Sequence, residues 1–135
     1  MIESGHVAVG AVVIPPGHYT FQARVTVLSA YTTLDFSGTV VTCPMADSCF
    51  VVGSTSNQND VWDVTVKNFS GQPACNTCNY PMIEDAAQHT LLMHVSAANP
   101  SPEGTGVSGS DFGSLIQVDN DQAAVIDGLS SNGNV

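Results

Sequence analysis

The sequence predicts an all-β protein that folds as a single-stranded parallel β-helix, a solenoid of roughly four to five coils with no significant helix. Two observations indicate this fold. Short β-rich segments recur in a constant order along the 135 residues, and the segments between them are rich in Gly, Ser, Asn and Pro rather than in strong helix formers. We interpret residues 1–135 as a single β-helix domain, a fragment or a short version of a longer solenoid.

Composition limits the possible partners. The apolar content of 43% is that of a packed protein, and 12 acidic residues face only Arg24 and Lys67, for a formal charge of -10. A strongly acidic surface repels nucleic acid and anionic lipid. No segment reaches the roughly 18 consecutive apolar residues that span a bilayer. We therefore expect no nucleic-acid partner and no membrane insertion.

The first strand is predicted in "HVAVGAVVI" (6–14), which ends at Pro15-Pro16-Gly17. The tripeptide "FSG" then occurs at 36–38 and again at 69–71. A repeated tripeptide in a short chain suggests internal repetition, and a recurring period would itself indicate a solenoid.

Three later segments share the order apolar, two residues, apolar, serine: Val66, Phe69 and Ser70; Leu92, Val95 and Ser96; Ile126, Leu129 and Ser130. Phe36 with Ser37 forms an imperfect earlier copy. The intervals from Phe36 to Phe69 to Val95 to Leu129 are 33, 26 and 34 residues. Irregular intervals with a constant order of elements are typical of coils that carry loop insertions.

A second apolar segment precedes each copy: "CFVVGS" (49–54), "PMIEDA" (81–86) and "SLIQVD" (114–119). Each unit is thus predicted to contain two short strands, a short polar turn between them and a longer connection to the next unit. A hairpin meander would need two-residue Asn-Gly or Asp-Gly turns, which are confined to the end of the chain. Parallel stacking of successive coils is therefore the arrangement that the pattern favours.

The stretch "GAVVIPPGHYTFQARVTVLSAYTTLDFSG" (10–38) resembles the opening coil of the pectate-lyase-like superfamily. The resemblance implies a right-handed parallel β-helix and an extracellular, polysaccharide-active or tail-spike-like protein. It also implies that any activity is that of a polysaccharide lyase or glycoside hydrolase. The superfamily's Asn-Thr-Asp, Gly-His-Gly and Arg-Ile-Lys signatures are missing, and neither Arg24 nor Lys67 lies in a matching motif.

These features favour a secreted or cell-surface carbohydrate-associated domain that binds or processes polysaccharide without complete autonomous catalytic machinery. The alternative is a structural module of a fibre, filament or trimeric spike. Such a module would self-associate by stacking its exposed solenoid ends, since a solenoid without capping repeats leaves strand edges unpaired.

Acidic residues are predicted to cluster in turns after the first strand of successive coils. The candidates are Glu84, Asp85, Asp119 and Asp121. Stacking would bring such positions within one strand spacing of each other. Paired carboxylates could act as acid and base on a glycosidic bond, or their oxygens could bind calcium. Alternatively, they are solvated turn residues. No cofactor is required by the sequence, and calcium is possible.

Two aromatic residues precede first strands, Tyr80 and Phe112. Their rings could stack on sugars beside the acidic turns, or they could cover the apolar edge of the solenoid. Trp62 is interpreted as a core or coil-capping residue. His89 and His94 are interpreted as ordinary surface or turn residues, because neither has metal-ligand spacing to a partner.

The cysteines form two groups, Cys43 with Cys49 and Cys75 with Cys78, which the repeat places on one edge of adjacent coils. Three disulfide pairings are possible. A four-thiolate zinc site and free thiols are the alternatives, although the five residues between Cys43 and Cys49 exceed the usual zinc spacing. For a secreted solenoid we expect disulfides.

Overall fold

The computed structural model describes residues 10–44, 47–54, 61–72, 80–98, 114–119 and 123–132. Within these ranges every regular element is a strand, and no helix occurs. The strands are β1 (Gly10–Val13), β2 (Gly17–Thr20), β3 (Val25–Val27), β4 (Thr32–Asp35), β5 (Thr39–Thr42), β6 (Phe50–Gly53), β7 (Thr65–Lys67), β8 (Ser70–Gln72), β9 (Pro81–Ala86), β10 (Leu91–Met93), β11 (Ser96–Ala98), β12 (Ser114–Val118), β13 (Val125–Asp127) and β14 (Ser130–Asn132).

The described strands form three parallel sheets. Sheet A has the order β1-β4-β7-β10-β13, sheet B has β2-β5-β8-β11-β14, and sheet C has β3-β6-β9-β12. Successive strands along the chain therefore pass from one sheet to the next, and each strand from β4 onwards pairs with the strand three positions earlier. This order is consistent with a parallel β-helix, and we call one passage through sheets A, B and C a coil.

The predicted alignment of the repeat is confirmed for its last three copies. The backbone NH of Ser96 donates to the carbonyl of Phe69 at 2.8 Å, and that of Ser130 donates to the carbonyl of Val95 at 2.9 Å. Leu129 follows the same register, since Ser96 pairs with Ser130. Corresponding apolar residues thus lie in adjacent coils, as parallel stacking requires.

The first copy differs in its corner. Asp35 pairs with Lys67, and Val41 pairs with Gly71. The coil that contains β4 and β5 therefore has two more residues between its paired positions than the next coil, which contains β7 and β8. Phe36 nevertheless packs on Phe69, with ring centroids 5.0 Å apart in an edge-to-face arrangement. The extra residues are absorbed at the corner because the strands on either side keep their register.

Each of the four complete coils among the described residues contains three strands, not the two strands predicted for each repeat unit. The segment "VTVKNFSG" contains β7 and the first two residues of β8, which are separated by a corner at Asn68. Asn68 has a φ of 61°, and the in-register His94 and Gly128 have φ of 51° and 76°. A single left-handed residue turns the chain without a loop. Such a corner leaves no break in the apolar pattern that would distinguish two strands from one.

The core consists of inward side chains that repeat from coil to coil. Leu34, Val66 and Leu92 occupy one in-register position of sheet A and have no exposed surface. The rings of Phe36, Phe50 and Phe69 meet with centroids 5.0 to 5.6 Å apart. Full burial of such side chains contributes roughly 1.5–3 kcal/mol each, so the continuous interior is the main source of stability.

Candidate functional site

Glu84 and Asp85 lie within strand β9, whereas the sequence pattern predicted a turn for them. Neighbouring side chains of a strand point to opposite faces. Asp85 points inward and is fully buried, and its Oδ1 accepts hydrogen bonds from the Thr90 hydroxyl at 2.8 Å and the Ala87 NH at 3.3 Å. Glu84 is half-buried on the outer face, where the Ser48 hydroxyl donates to its Oε2 at 3.3 Å. The two carboxyl groups therefore do not share one site.

Asp119 follows β12, and its backbone NH donates to the carbonyl of Asp85 at 2.7 Å. Its carboxylate accepts from the Gln117 amide at 3.1 to 3.2 Å. Asp121 lies outside the described residues. In the part of the chain that the structure describes, no three His, Cys, Asp or Glu residues are grouped closely enough to hold a metal ion. The catalytic and calcium roles of these four acidic residues stay predictions.

Tyr80 stands immediately before β9, as predicted, and its side chain is 43% exposed. Phe112 lies outside the described residues. Tyr80 is therefore the one of the two proposed sugar-stacking residues whose exposure is established. It lies four positions before Glu84 in the sequence.

Cys43 and Cys49 form a disulfide, with Cα atoms 4.8 Å apart. The pair links the end of β5 to the start of β6, and both side chains are buried. This pairing is one that the sequence left open, and it removes the two thiolates that the zinc alternative would need. Cys75 and Cys78 lie outside the described residues.

A shallow groove of about 200 Å³ lies on the outer face of sheet C. We call it the sheet C groove; it is lined by Arg24, Thr26, Leu28, Val51, Gly53, Ser54 and Glu84. Thr26, Val51 and Glu84 occupy one in-register position of three neighbouring strands. The groove thus presents hydroxyl, apolar and carboxylate groups in a row with the spacing of the strands.

The floor of the groove requires glycine at position 53. Gly53 has a φ of 88°, and a Cβ atom there would lie 2.5 Å from the Ala86 carbonyl oxygen. Neighbouring backbones therefore approach closely at this point, which only glycine permits. A side chain at this position would push the start of the next corner, at Ala86 and Ala87, away from the groove.

Arg24 lies at the edge of the groove in an ion pair. Its Nη1 is 3.5 Å from Asp47 Oδ1, and the two side chains are 52% and 41% exposed. The same Asp47 oxygen accepts the Ser48 backbone NH at 2.8 Å. Ser48 also donates to Glu84, so this polar network connects the cation to the groove carboxylate.

Four further residues form a surface that the sequence pattern did not predict. We call it the aromatic corner; it consists of Tyr31, Trp62, Asp63 and His89 between sheets C and A. Tyr31, Asp63 and His89 have φ of 55° to 57°, which turns the chain in three adjacent coils. The Tyr31 NH donates to the Trp62 carbonyl at 2.8 Å, and Trp62 pairs with Gln88 in a parallel bridge.

Three of the four side chains of the aromatic corner face solvent, and the fourth, Trp62, is half-buried. Tyr31 is 54% exposed, and the side chains of His89 and Asp63 are 45% and 52% exposed. The rings of Trp62 and His89 meet edge to face with centroids 5.0 Å apart. Asp63 Oδ1 lies 3.6 Å from His89 Nδ1. Aromatic faces and a carboxylate are therefore combined on one exposed edge.

A sequence signal for the corner exists. Tyr31, Asp63 and His89 each precede a strand of sheet A, by one or two residues. Taken singly, each of these residues resembles a core, capping or turn residue. Their common position before a strand of sheet A is hard to recognise, because the intervals between them differ in length. The corner lies close to the groove, since Leu28 of the groove is followed after two residues by Tyr31.

A different polar cluster stabilises the corner between sheets A and B. Asp35 Oδ1 accepts hydrogen bonds from the Ser37 hydroxyl at 2.6 Å, the Ser37 NH at 3.0 Å and the Asn68 amide at 2.9 Å. Lys67 Nζ lies 3.4 Å from Asp35 Oδ2. The hydrogen bonds from Ser37 and Asn68, with Lys67 nearby, hold the pKa of Asp35 well below its usual range.

No helix in the described ranges is long and apolar enough to cross a membrane. Comparison with known proteins assigns no relative: no family model, no curated protein and no solved structure matches the chain.

Proposed function

We propose that the chain is an extracellular polysaccharide-binding domain built on a right-handed parallel β-helix of the pectate-lyase-like kind. The observation that carries the proposal is the aromatic corner beside the sheet C groove. Right-handed connection is the form expected wherever parallel strands of one sheet are joined by a crossover. The buried Cys43–Cys49 disulfide supports an oxidising, extracellular location.

The chemistry of the two surfaces suits a sugar polymer. Ligand sites combine apolar and aromatic surface with a few placed polar groups. Trp62 and Tyr31 offer ring faces for the apolar faces of sugar rings. Glu84 in the groove and Asp63 at the corner offer acceptors to sugar hydroxyls. Because coils repeat at about 4.8 Å, an extended polymer can meet similar groups in several coils.

Binding, rather than cleavage, is the proposed activity. Glycosidases need two carboxyl groups that flank one glycosidic bond, and Glu84 and Asp85 project from opposite faces of β9. A catalytic contribution of these residues, of Asp119 and of Asp121 remains a hypothesis based on the sequence, and calcium as a ligand of these carboxylates remains one as well.

Affinity electrophoresis through gels that contain different soluble polysaccharides tests the proposal. We expect at least one polymer to retard the native protein and the Trp62→Ala variant to be retarded less. Absence of retardation by neutral, acidic and basic polysaccharides alike would contradict the proposal. A reducing-end or ultraviolet assay on the same polymers would detect cleavage and contradict the proposal of binding alone.

A second candidate function is self-association through one end of the stack. We call the end formed by β12, β13 and β14 the lower end, and the end formed by β1 the upper end. Ile126 and Leu129 are 44% and 45% exposed, whereas the in-register Leu92 and Val95 are 0% and 1% exposed. Val118 of β12 is 41% exposed. Among the described strands, β1 and β13 end sheet A, and all four residues of β1 are exposed.

We propose a second copy of this chain as the occupant of this lower end. The strands at its upper end run in the same direction as those at the lower end. The edge strands of two copies could therefore pair in parallel. A head-to-tail contact of this kind generates an open filament. Light scattering over a range of concentrations should show mass increasing with concentration, and Leu129→Lys should suppress the increase. A constant monomer mass would contradict this candidate.

A further inference from the structure

We infer that the polysaccharide bound at the sheet C groove and the aromatic corner is uncharged, and that polyuronates and sulfated glycans are rejected. The inference rests on the proposed function and specifies its ligand class. It depends on the charges of the chain, which carries two Lys or Arg residues and a formal charge of -10. A carboxylate or sulfate on a ligand is bound most strongly by a cationic side chain that can pair with it.

Both cations are compensated within the protein. Arg24 lies 3.5 Å from the Asp47 carboxylate, and Lys67 lies 3.4 Å from the Asp35 carboxylate. Asp47 is held in place by the Ser48 NH, and Asp35 by Ser37 and Asn68. An anionic sugar at Arg24 would therefore lie next to the carboxylates of both Asp47 and Glu84, which would repel it.

The aromatic corner offers an anion no better partner. His89 is the titratable base there, and Asp63 lies 3.6 Å from its Nδ1. The Asp63 carboxylate therefore faces His89 and would compete with an anionic ligand for it. Lys67 belongs to the corner between sheets A and B, because it ends β7 on the far side of sheet A. The net negative potential of the chain adds a general repulsion of polyanions.

The same groups fit a neutral sugar. Glu84 and Asp63 offer carboxyl oxygens as acceptors, and hydrogen bonds from hydroxyl groups to carboxylates are among the stronger ones. Thr26 and Ser54 add hydroxyl groups in the groove, and Trp62 and Tyr31 add ring faces. None of these contacts requires a charge on the ligand, so binding should change little with ionic strength.

The native protein can be tested by affinity electrophoresis in gels of galactomannan, xyloglucan, polygalacturonate and glycol chitosan, at about 0.02 M and about 0.5 M salt, since the higher concentration screens exposed charges. We expect retardation by a neutral polymer that is the same at both salt concentrations and none by polygalacturonate.

Retardation by polygalacturonate that disappears at high salt would overturn the inference and leave the proposed function intact. Retardation by glycol chitosan alone would overturn it equally. Absence of retardation in every gel would contradict the proposed function itself.

Two charge variants test the role of the ion pair. Asp47→Asn leaves Arg24 without its carboxylate partner and should produce retardation by polygalacturonate at low salt. Asp127→Asn is the matched control, because it removes the same charge from an exposed residue of β13 and should produce none. Equal behaviour of the two variants towards polygalacturonate would show that the Arg24–Asp47 pair does not exclude anionic sugars.

Discussion

The indole ring of Trp62 and the imidazole ring of His89 meet edge to face, with centroids 5.0 Å apart and planes at 80°. The two residues belong to adjacent coils and are 27 positions apart in the sequence. Their contact places the single tryptophan of the chain beside an exposed carboxylate, Asp63. This combination makes the corner between sheets C and A the strongest candidate for ligand contact.

Trp62→Ala should weaken polysaccharide binding by on the order of tenfold, or about 1.4 kcal/mol, because it removes the largest ring of the aromatic corner. His89→Asn should weaken binding less, since the ring contact is lost while asparagine tolerates the left-handed backbone. Isothermal titration with the polymer that retards the native protein measures both effects.

His94→Asn is the control for His89→Asn. His94 has a similar φ, 51° against 57°, but lies at the corner between sheets A and B. It should leave binding unchanged. A loss of affinity in His94→Asn equal to that in His89→Asn would show that the effect arises from corner structure and not from ligand contact.

Asp35 should make stability depend on pH in the acidic range. The pKa of Asp35 is lowered in the folded protein, whereas an unfolded Asp titrates at about 3.9. The stabilisation is therefore fully present above about pH 4 and is lost as pH falls towards the lowered folded pKa. Urea unfolding of native protein and Asp35→Asn should show a stability difference at pH 6 that decreases at pH 3.

The matched control for Asp35 is Asp127→Asn, which removes an exposed carboxylate of β13. Its stability difference from the native protein at pH 6 should be smaller than that of Asp35→Asn, because the Asp127 side chain is exposed. If the Asp35→Asn difference is as large at pH 3 as at pH 6, ionisation of Asp35 is not the source of its stabilising effect.

Position in the stack should decide the cost of a core substitution. Leu92→Ala should reduce the free energy of unfolding by about 2–5 kcal/mol, as is usual for a fully buried leucine. Ile126 occupies the same in-register position in the next coil and is 44% exposed. Ile126→Ala should therefore reduce the free energy of unfolding by less. Chemical denaturation of both variants gives the comparison. Similar costs would indicate that Ile126 is covered in solution, as a head-to-tail contact would cover it.

The Cys43–Cys49 disulfide should appear in a peptide map of the unreduced protein as a link within residues 43–49. Replacing both cysteines by alanine should destabilise the fold by about 2 kcal/mol, since a short loop restricts the unfolded chain less than a long one does. Thermal denaturation measures the change. A peptide map in which Cys43 is linked to Cys75 or Cys78 would contradict the pairing.

The sequence by itself determined the class of the fold. Phe69, Val95 and Leu129 can be aligned from their spacing alone, because a solenoid repeats the same inward position in every coil and the order of residues along the chain preserves it. The position of Tyr80 before a strand follows from the same repeat. The long connection predicted before a new unit is found between β11 and β12, which 15 residues separate, but the 11 residues between β6 and β7 exceed the short turn that the repeat predicted there.

The tertiary structure decided the features that depend on distance across coils. A left-handed residue at Asn68 divides an unbroken apolar pattern into two strands, and strand alternation separates Glu84 from the buried Asp85. Cys43 meets Cys49 in a way that spacing left open. Tyr31, Trp62 and His89 converge although connections of unequal length separate them. The sequence pattern within a strand indicates which way each side chain faces. Which side chains meet is determined by the packing of the coils against each other.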